Sequence, residues 1–390
     1  MSEYQYYEFL AVDRPLTKKE MDALREVSSR AEITSTRFVN EYHYGDFHGE
    51  PLKLVKKYFD AFIYAANWGS HQLMLRLPKG LINVDPMWEY GSDRQFEIHN
   101  SGTHFILNFE AGVEGPAYDD VFGENWMEVL LPLRDELLGG DLRALYLGWL
   151  ACVGSDFGEL ADDDVEPPVP PGLGQLSPAQ QHLANYLWIS EGLLAVAARN
   201  SPELVEVGIS DDDVEKWLVT LPVEQKDQAL LRVFRNDASR LRAEWLKGYR
   251  DQLKPGGPAE SAEESPRRTV LELIEAGQTC AAELEQQALA AKAKKEQKLV
   301  RQKASERARQ LDQYQGREAA TWQVIEAHVA STDKKRYDEA IKLLDILKGL
   351  AERAGSVGAF QEQVRLFRAQ HKHKSAFLSR LTKAGLYGQK

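Results

Sequence analysis

The stretch from Phe38 to Pro51, FVNEYHYGDFHGEP, places two histidines and three carboxylates around two glycines. His43, Asp46, His48 and Glu50 are each competent metal ligands, and a turn through Gly45 and Gly49 could converge them. His99 and His104 flank a second turn, Asn100-Ser101-Gly102, and could complete such a site. The four do not follow a familiar zinc or iron spacing. The same stretch also reads as an aromatic strand ending in a turn, with Phe38, Tyr42 and Tyr44 on one face. The aromatic residues favour that reading. A third reading places Tyr42, Trp68 and Trp88 around a ligand pocket.

Other chemistry has little support. Asp156-Phe157-Gly158 matches the kinase magnesium tripeptide, but no glycine-rich phosphate loop, strand lysine or catalytic-loop motif accompanies it. GxxxxGK[ST], GxGxxG and GxSxG are all missing. No residue is assigned a catalytic role and no cofactor is expected. An enzyme reading rests on the stretch around His43 and His48 alone.

The elements that must position these residues follow from composition and pattern. The chain has 390 residues and is 43% hydrophobic, enough for two or three domains with real cores. Cys152 and Cys280 lie far apart and imply neither a disulfide framework nor a cysteine zinc site. With no signal-peptide pattern and no apolar run long enough to span a bilayer, the cytoplasm is the expected compartment and no membrane partner is expected.

The net charge of −12 is unevenly spread: residues 291–390 hold 22 basic and 11 acidic side chains, and residues 1–290 hold 26 and 49. The basic region is either a solvated helix surface, attracted to the acidic body, or a contact surface for nucleic acid or an acidic partner. The contact residues would be Lys292, Lys294, Lys295, Lys298, Arg301, Lys372 and Lys374.

Residues 1–123 read as a mixed α/β domain. Tyr4–Val12 is aromatic and β-rich. Thr17 and Glu20 form a capping-box pattern ahead of Met21, Leu24 and Val27 at helical spacing. Arg37–Tyr44 alternates as a second strand. Pro51 suits a first helical turn, and Leu52, Val55, Phe59, Phe62 and Ile63 form the expected apolar stripe. Leu73, Leu75 and Leu77 alternate as a third strand, and Phe96–Glu110 reads as a hairpin. This order makes a ferredoxin-like sandwich one candidate, although the strand pair expected between its helices is missing.

Residues 124–253 read as a helical domain, and 254–265, KPGGPAESAEES, as a linker. Residues 266–315 read as a long charged helix started by Pro266. From Glu285 to Gln310 it is nearly all Ala, Lys, Glu, Gln and Arg, which suits an exposed rod or a coiled-coil arm with a weak seam. Residues 316–390 read as a C-terminal helical-hairpin module, tetratricopeptide-like in shape but without a fixed repeat.

Several runs resemble a bacterial family with no assigned activity: YYEFLAVDRPLTKKEMDALREVSSRAEITSTRFVNEYHYGDFHGEP near the start, LRALYLGWLA and PPVPPGLG in the middle, and RYDEAIKLLDILKGLAERAG with FQEQVRLFRAQHKHKSAFLSRLTKAGL at the end. The last of these is also similar to the helical end of bacterial SWIM zinc-finger proteins. The cysteine and histidine ligands of the SWIM module are missing, so the resemblance implies no zinc and no residue roles.

The fold class expected is α+β. The leading functional expectation is a non-catalytic cytosolic adaptor that binds protein partners through its α/β head and C-terminal helices. The alternatives are a nucleic-acid-binding component of a bacterial defence or nucleic-acid-handling system, acting through 291–390, and a metal-dependent enzyme around His43 and His48.

Overall fold

The computed structural model describes residues 4–82, 85–92, 95–112, 125–153, 160–204, 211–234, 241–242, 244–245, 247–249, 267–331 and 333–386. The expected linker 254–265, the expected boundary at 123–124 and Asp156-Phe157-Gly158 lie outside them. The fold is α+β. The chain divides into two compact units, Met1–Glu285 and Gln286–Lys390.

In the first unit, β1 (Gln5–Leu10) leads through α1 (Lys18–Val27) into β2 (Glu32–Ile33) and β3 (Arg37–Tyr42). Then α2 (Pro51–Lys57) leads into β4 (Ala61–Ala66), and β5 (His71–Pro78), β6 (Phe96–Ser101) and β7 (His104–Ala111) extend the same sheet. The order is β2-β3-β1-β4-β5-β7-β6, with neighbours antiparallel throughout. The first six elements thus have ferredoxin-like connectivity. The strand pair not visible in the sequence is β2–β3, and β2 is two residues long, too short to show alternation.

Two sequence expectations are corrected here. Phe62 and Ile63 do not extend the apolar stripe of α2, which stops at Lys57; they lie in β4, on opposite faces and fully buried. A strand covered on both faces reads as a continuous apolar run, which periodicity cannot tell from a helix. Tyr44 does not share a buried face with Phe38, because β3 ends at Tyr42 and Tyr44 is 79% exposed.

One sheet face holds an aromatic core under α1 and α2. The Phe9 ring lies 4.4 Å from Phe62, 5.1 Å from Phe59 and 5.4 Å from Phe38. The capping box starts α1: Thr17 Oγ1 accepts from the Glu20 amide, and the Glu20 carboxylate accepts from the Thr17 amide at 2.8 Å. Arg14 clamps the same carboxylate at 2.7 and 2.9 Å.

Just after β1, the buried carboxylate of Asp60 accepts from the Val12 and Asp13 amides at 2.7 and 2.8 Å. It also accepts two bonds from the Arg76 guanidinium, at 2.7 and 3.0 Å. Arg134, buried in the helical layer, donates to the Arg76 carbonyl at 3.0 Å and to Asp13 at 2.7 Å.

That helical layer covers the opposite face. It comprises α3 (Trp126–Leu130), α4 (Pro132–Leu138), α5 (Arg143–Cys152), α6 (Pro178–Tyr186), α7 (Glu191–Arg199) and the first turns of α10 (Val270–Tyr314). Two further helices, α8 (Asp211–Thr220) and α9 (Val223–Phe234), precede α10. Helix α5 lies directly on the sheet at Gly148, where a Cβ would sit 2.7 Å from the Phe109 ring and 2.8 Å from Phe96. Helices α7 and α10 cross backbone to backbone: a Cβ on Gly192 would sit 2.4 Å from the Gly277 carbonyl oxygen.

The start of α10 is fastened by a buried ion pair. Arg268 donates to both oxygens of Glu166 at 2.7 and 2.8 Å, and the Tyr146 hydroxyl donates to the same carboxylate. The helix begins at Val270 rather than at Pro266. Its start is a second capping box, in which Thr269 Oγ1 accepts from the Glu272 amide and Glu272 accepts from the Thr269 amide.

The second unit is helical. The end of α10 packs with α11 (Glu318–Ala330), α12 (Lys334–Arg353), α13 (Val357–Gln370) and α14 (Ser375–Lys383) around Leu311, Ile325, Leu344, Phe360, Phe367 and Phe377. Gly316 and Gly355 take φ of 78° and 68°, which lets α10 and α12 end in tight turns.

Two outcomes are expected. Arg268→Ala should cost about 3 kcal/mol by stranding the buried Glu166 charge. A lowered urea midpoint, followed by tryptophan fluorescence, checks it. Glu166→Leu with Arg268→Met should recover most of the loss. Separately, the Arg14 guanidinium and the Thr17 amide hold the Glu20 carboxyl near 2, below the usual 4.5. Its stabilisation of α1 is therefore complete above 4.5 and disappears as pH falls through about 2. Glu20→Gln should flatten that part of the acid-unfolding curve measured by circular dichroism.

Candidate functional site

The residues of the proposed metal stretch have separate partners. The His43 ring packs 5.3 Å from Tyr4. Asp46 accepts a bond from Gln5 Nε2 at 3.3 Å, and Glu50 pairs with Lys53 at 2.6 Å. His48 is exposed. His99 pairs instead with Glu97 at 3.1 Å, and His104 lies beside Thr103. Among the described residues no group of three His, Cys, Asp or Glu side chains is placed to hold a metal ion.

The proposed pocket aromatics are not brought together. Tyr42 packs edge-on to Tyr7 at 5.8 Å and accepts a bond from Asn40. Trp68 lies in the β4–β5 turn, its Nε1 donating to Ser70. Trp88 packs edge-on to Phe105, which is paired with Leu77. Leu77 is six residues from His71 along β5, or ~20 Å at strand rise.

What the sequence reading missed on this sheet is a polar row. Asn40, Tyr7, Tyr64, Gln72 and Glu110 are consecutive register partners across β3, β1, β4, β5 and β7. Tyr7 donates to Gln5 Oε1 at 2.7 Å, and Gln72 Nε2 donates to Asn108 at 2.9 Å and Glu110 at 2.7 Å. Gln5 Nε2 also reaches the Gly45 carbonyl at 3.1 Å, so the row anchors the loop that carries Asp46. Burial pushes the Tyr64 hydroxyl up to about 12, and Tyr7 is raised further, so both stay protonated donors at neutral pH. The row is internally satisfied and fixes strand register. Its signal was the recurrence of polar side chains at alternate strand positions, Gln5 with Tyr7 on β1 and Asn108 with Glu110 on β7.

The proposed basic contacts divide. Lys292, Lys294, Lys295, Lys298 and Arg301 are exposed along α10, as is Lys372 after α13. Lys374 is committed internally, its Nζ donating to the Ala330 and Ser331 carbonyls at 3.3 and 3.4 Å, where it closes the end of α11.

The second unit contains an open cleft of about 1070 Å³ between the end of α10, α11 and α12. Its origin is helical spacing. Helix α11 gives Thr321, Ile325 and Val329 to the core, so the neighbouring row Ala320, Val324 and His328 faces the cleft. Helix α12 gives Ala340, Leu344 and Leu347 to the core, leaving Glu339, Leu343 and Ile346 facing the same space. On its other side α11 is covered, with Trp322 lying 6.2 Å from Phe360 and 5.7 Å from Phe367. Val324 is 46% exposed on the floor. No sequence pattern announced the cleft, because it arises from two half-used apolar faces with no third helix between them.

Metal analysis of purified protein should find no stoichiometric ion, with no change in His43→Ala or His48→Ala. An ion lost in both variants would restore the metal reading. Scans against known protein families, curated proteins and solved structures found no match for this chain.

Proposed function

We propose that this chain is a non-catalytic adaptor that binds protein partners, with the cleft of the second unit as a docking site. The observation that carries the reading is the apolar floor of an open groove between packed helices, with Val324 exposed and Leu343 and Ile346 half-buried beside it. Grooves of this kind take side chains of a partner helix. A further exposed apolar stripe, Val223, Leu230 and Phe234 on α9, adds a second contact face in the first unit. A cytoplasmic setting belongs to the same reading, supported by two free, buried cysteines. No helix among the described residues is long and apolar enough to cross a membrane.

A second reading, nucleic-acid binding through 291–390, is favoured by one specific observation. Residues 286–310 carry eight basic and two acidic side chains on a helix that is exposed almost throughout. That density would give a steep salt dependence.

A pull-down from native lysate with the full chain and with Val324→Asp, each with and without nuclease, separates the two. A partner protein that survives nuclease and is lost with Val324→Asp is the expected result. Recovery of nucleic acid, unaffected by Val324→Asp, would replace the adaptor reading with the second one.

A further inference from the structure

Resting on the adaptor reading, the geometry points to a definite ligand for the cleft: we propose that it binds an acidic, amphipathic helical segment of a partner protein. Shape selects a helix. The walls are helices whose mid-turn backbone groups are already bonded, so an added strand would find no ladder to join. The row Ala320, Val324, His328 is two turns long, ~12 Å at helical rise. It offers a ridge and groove that match apolar side chains at i, i+3 or i+4, and i+7 on an incoming helix.

Charge selects an acidic segment. Of the two acids lining the cleft, Asp312 is taken by Arg353, and on the outer side of α12 Asp345 and Asp338 are taken by Arg307 and Arg380. Glu339 lies 3.7 Å from His328. Two cations on the rim, Arg317 and Lys342, have no acidic partner among the described residues. The whole second unit carries 22 basic and 11 acidic side chains, so its field also favours an acidic ligand. The apolar floor disfavours a nucleic-acid strand in this groove, since phosphates would lie against Val324, Leu343 and Ile346.

The test is selection from a displayed library of helix-forming peptides of roughly 16 residues, using the full chain as bait and counter-selecting on the Val324→Asp chain. Enriched peptides should carry apolar residues at i, i+3 or i+4, and i+7, flanked by Asp or Glu. By fluorescence anisotropy they should bind the Arg317→Glu, Lys342→Glu chain about tenfold more weakly, an effect that shrinks with salt. Val324, Arg317 and Lys342 are surface positions, and unchanged circular dichroism controls for folding. Enrichment of Lys- or Arg-flanked peptides, of peptides without helical spacing, or of none that distinguish Val324→Asp would overturn the proposal. Displacement of a selected peptide by a single-stranded oligonucleotide would do the same. If these fail while the pull-down still yields a nuclease-resistant partner lost with Val324→Asp, the adaptor reading stands and only the partner chemistry is wrong.

Discussion

The carboxylate of Asp60 joins three parts of the first unit at one corner of the sheet. Four donors hold it: the Val12 and Asp13 amides at the end of β1 and two nitrogens of Arg76 on β5. Asp13 in turn accepts from Arg134 of the helical layer, and Arg134 also donates to the Arg76 carbonyl. The ferredoxin-like half, the added strands and the helices are thereby tied at one corner of the sheet. Burying two carboxylates and two guanidiniums is costly unless each is bonded in place, and such a network tolerates only one relative placement of its parts. The two-sided core follows from that placement, with Phe62 on one face of β4 and Ile63 on the other.

Much of this was legible where local chemistry decides. The Thr17–Glu20 capping box and Pro51 mark true helix starts, and the alternation of Leu73, Leu75 and Leu77 marks a true strand. The failures share a cause. Phe62 and Ile63 look helical in spacing because tertiary structure buries both sides of β4. β2 exists only because β3 offers it a partner. Pro266 looked like a helix start, yet the reciprocal bonds of Thr269 and Glu272 set the boundary at Val270. The pairing Thr-x-x-Glu was present in the sequence and was passed over for the louder proline signal.

The candidate cleft was less legible than the fold. A helix pattern shows which residues are apolar, but it does not show which of two neighbouring apolar rows finds a partner. In α11 the row Thr321, Ile325, Val329 is buried and the row Ala320, Val324, His328 is not. That distinction belongs to the packing of α12 and α13, not to α11. The same holds for charge. Counting residues reveals a basic region, but only pairing reveals that Asp312 is consumed by Arg353 and that, among the described residues, Arg317 and Lys342 have no acidic partner.

Desolvation keeps several buried ionisable groups of the first unit uncharged. Desolvation pushes the Cys152 thiol up to about 11 and the Tyr90 hydroxyl up to about 12, raises Tyr186 and lowers His71. Each shift moves its group away from neutral pH and towards its uncharged form. A catalytic site balances desolvation with a nearby charge so that a nucleophile or base titrates near the working pH. His71 has no such charge: it lies between the Tyr186 and Trp188 rings, 4.7 and 5.6 Å away, with Nδ1 donating to the Tyr186 carbonyl. Tyr186 in turn donates to the Tyr64 and Gln72 carbonyls, so the histidine holds α6 against the sheet as a neutral wedge. These groups behave as parts of a packed scaffold.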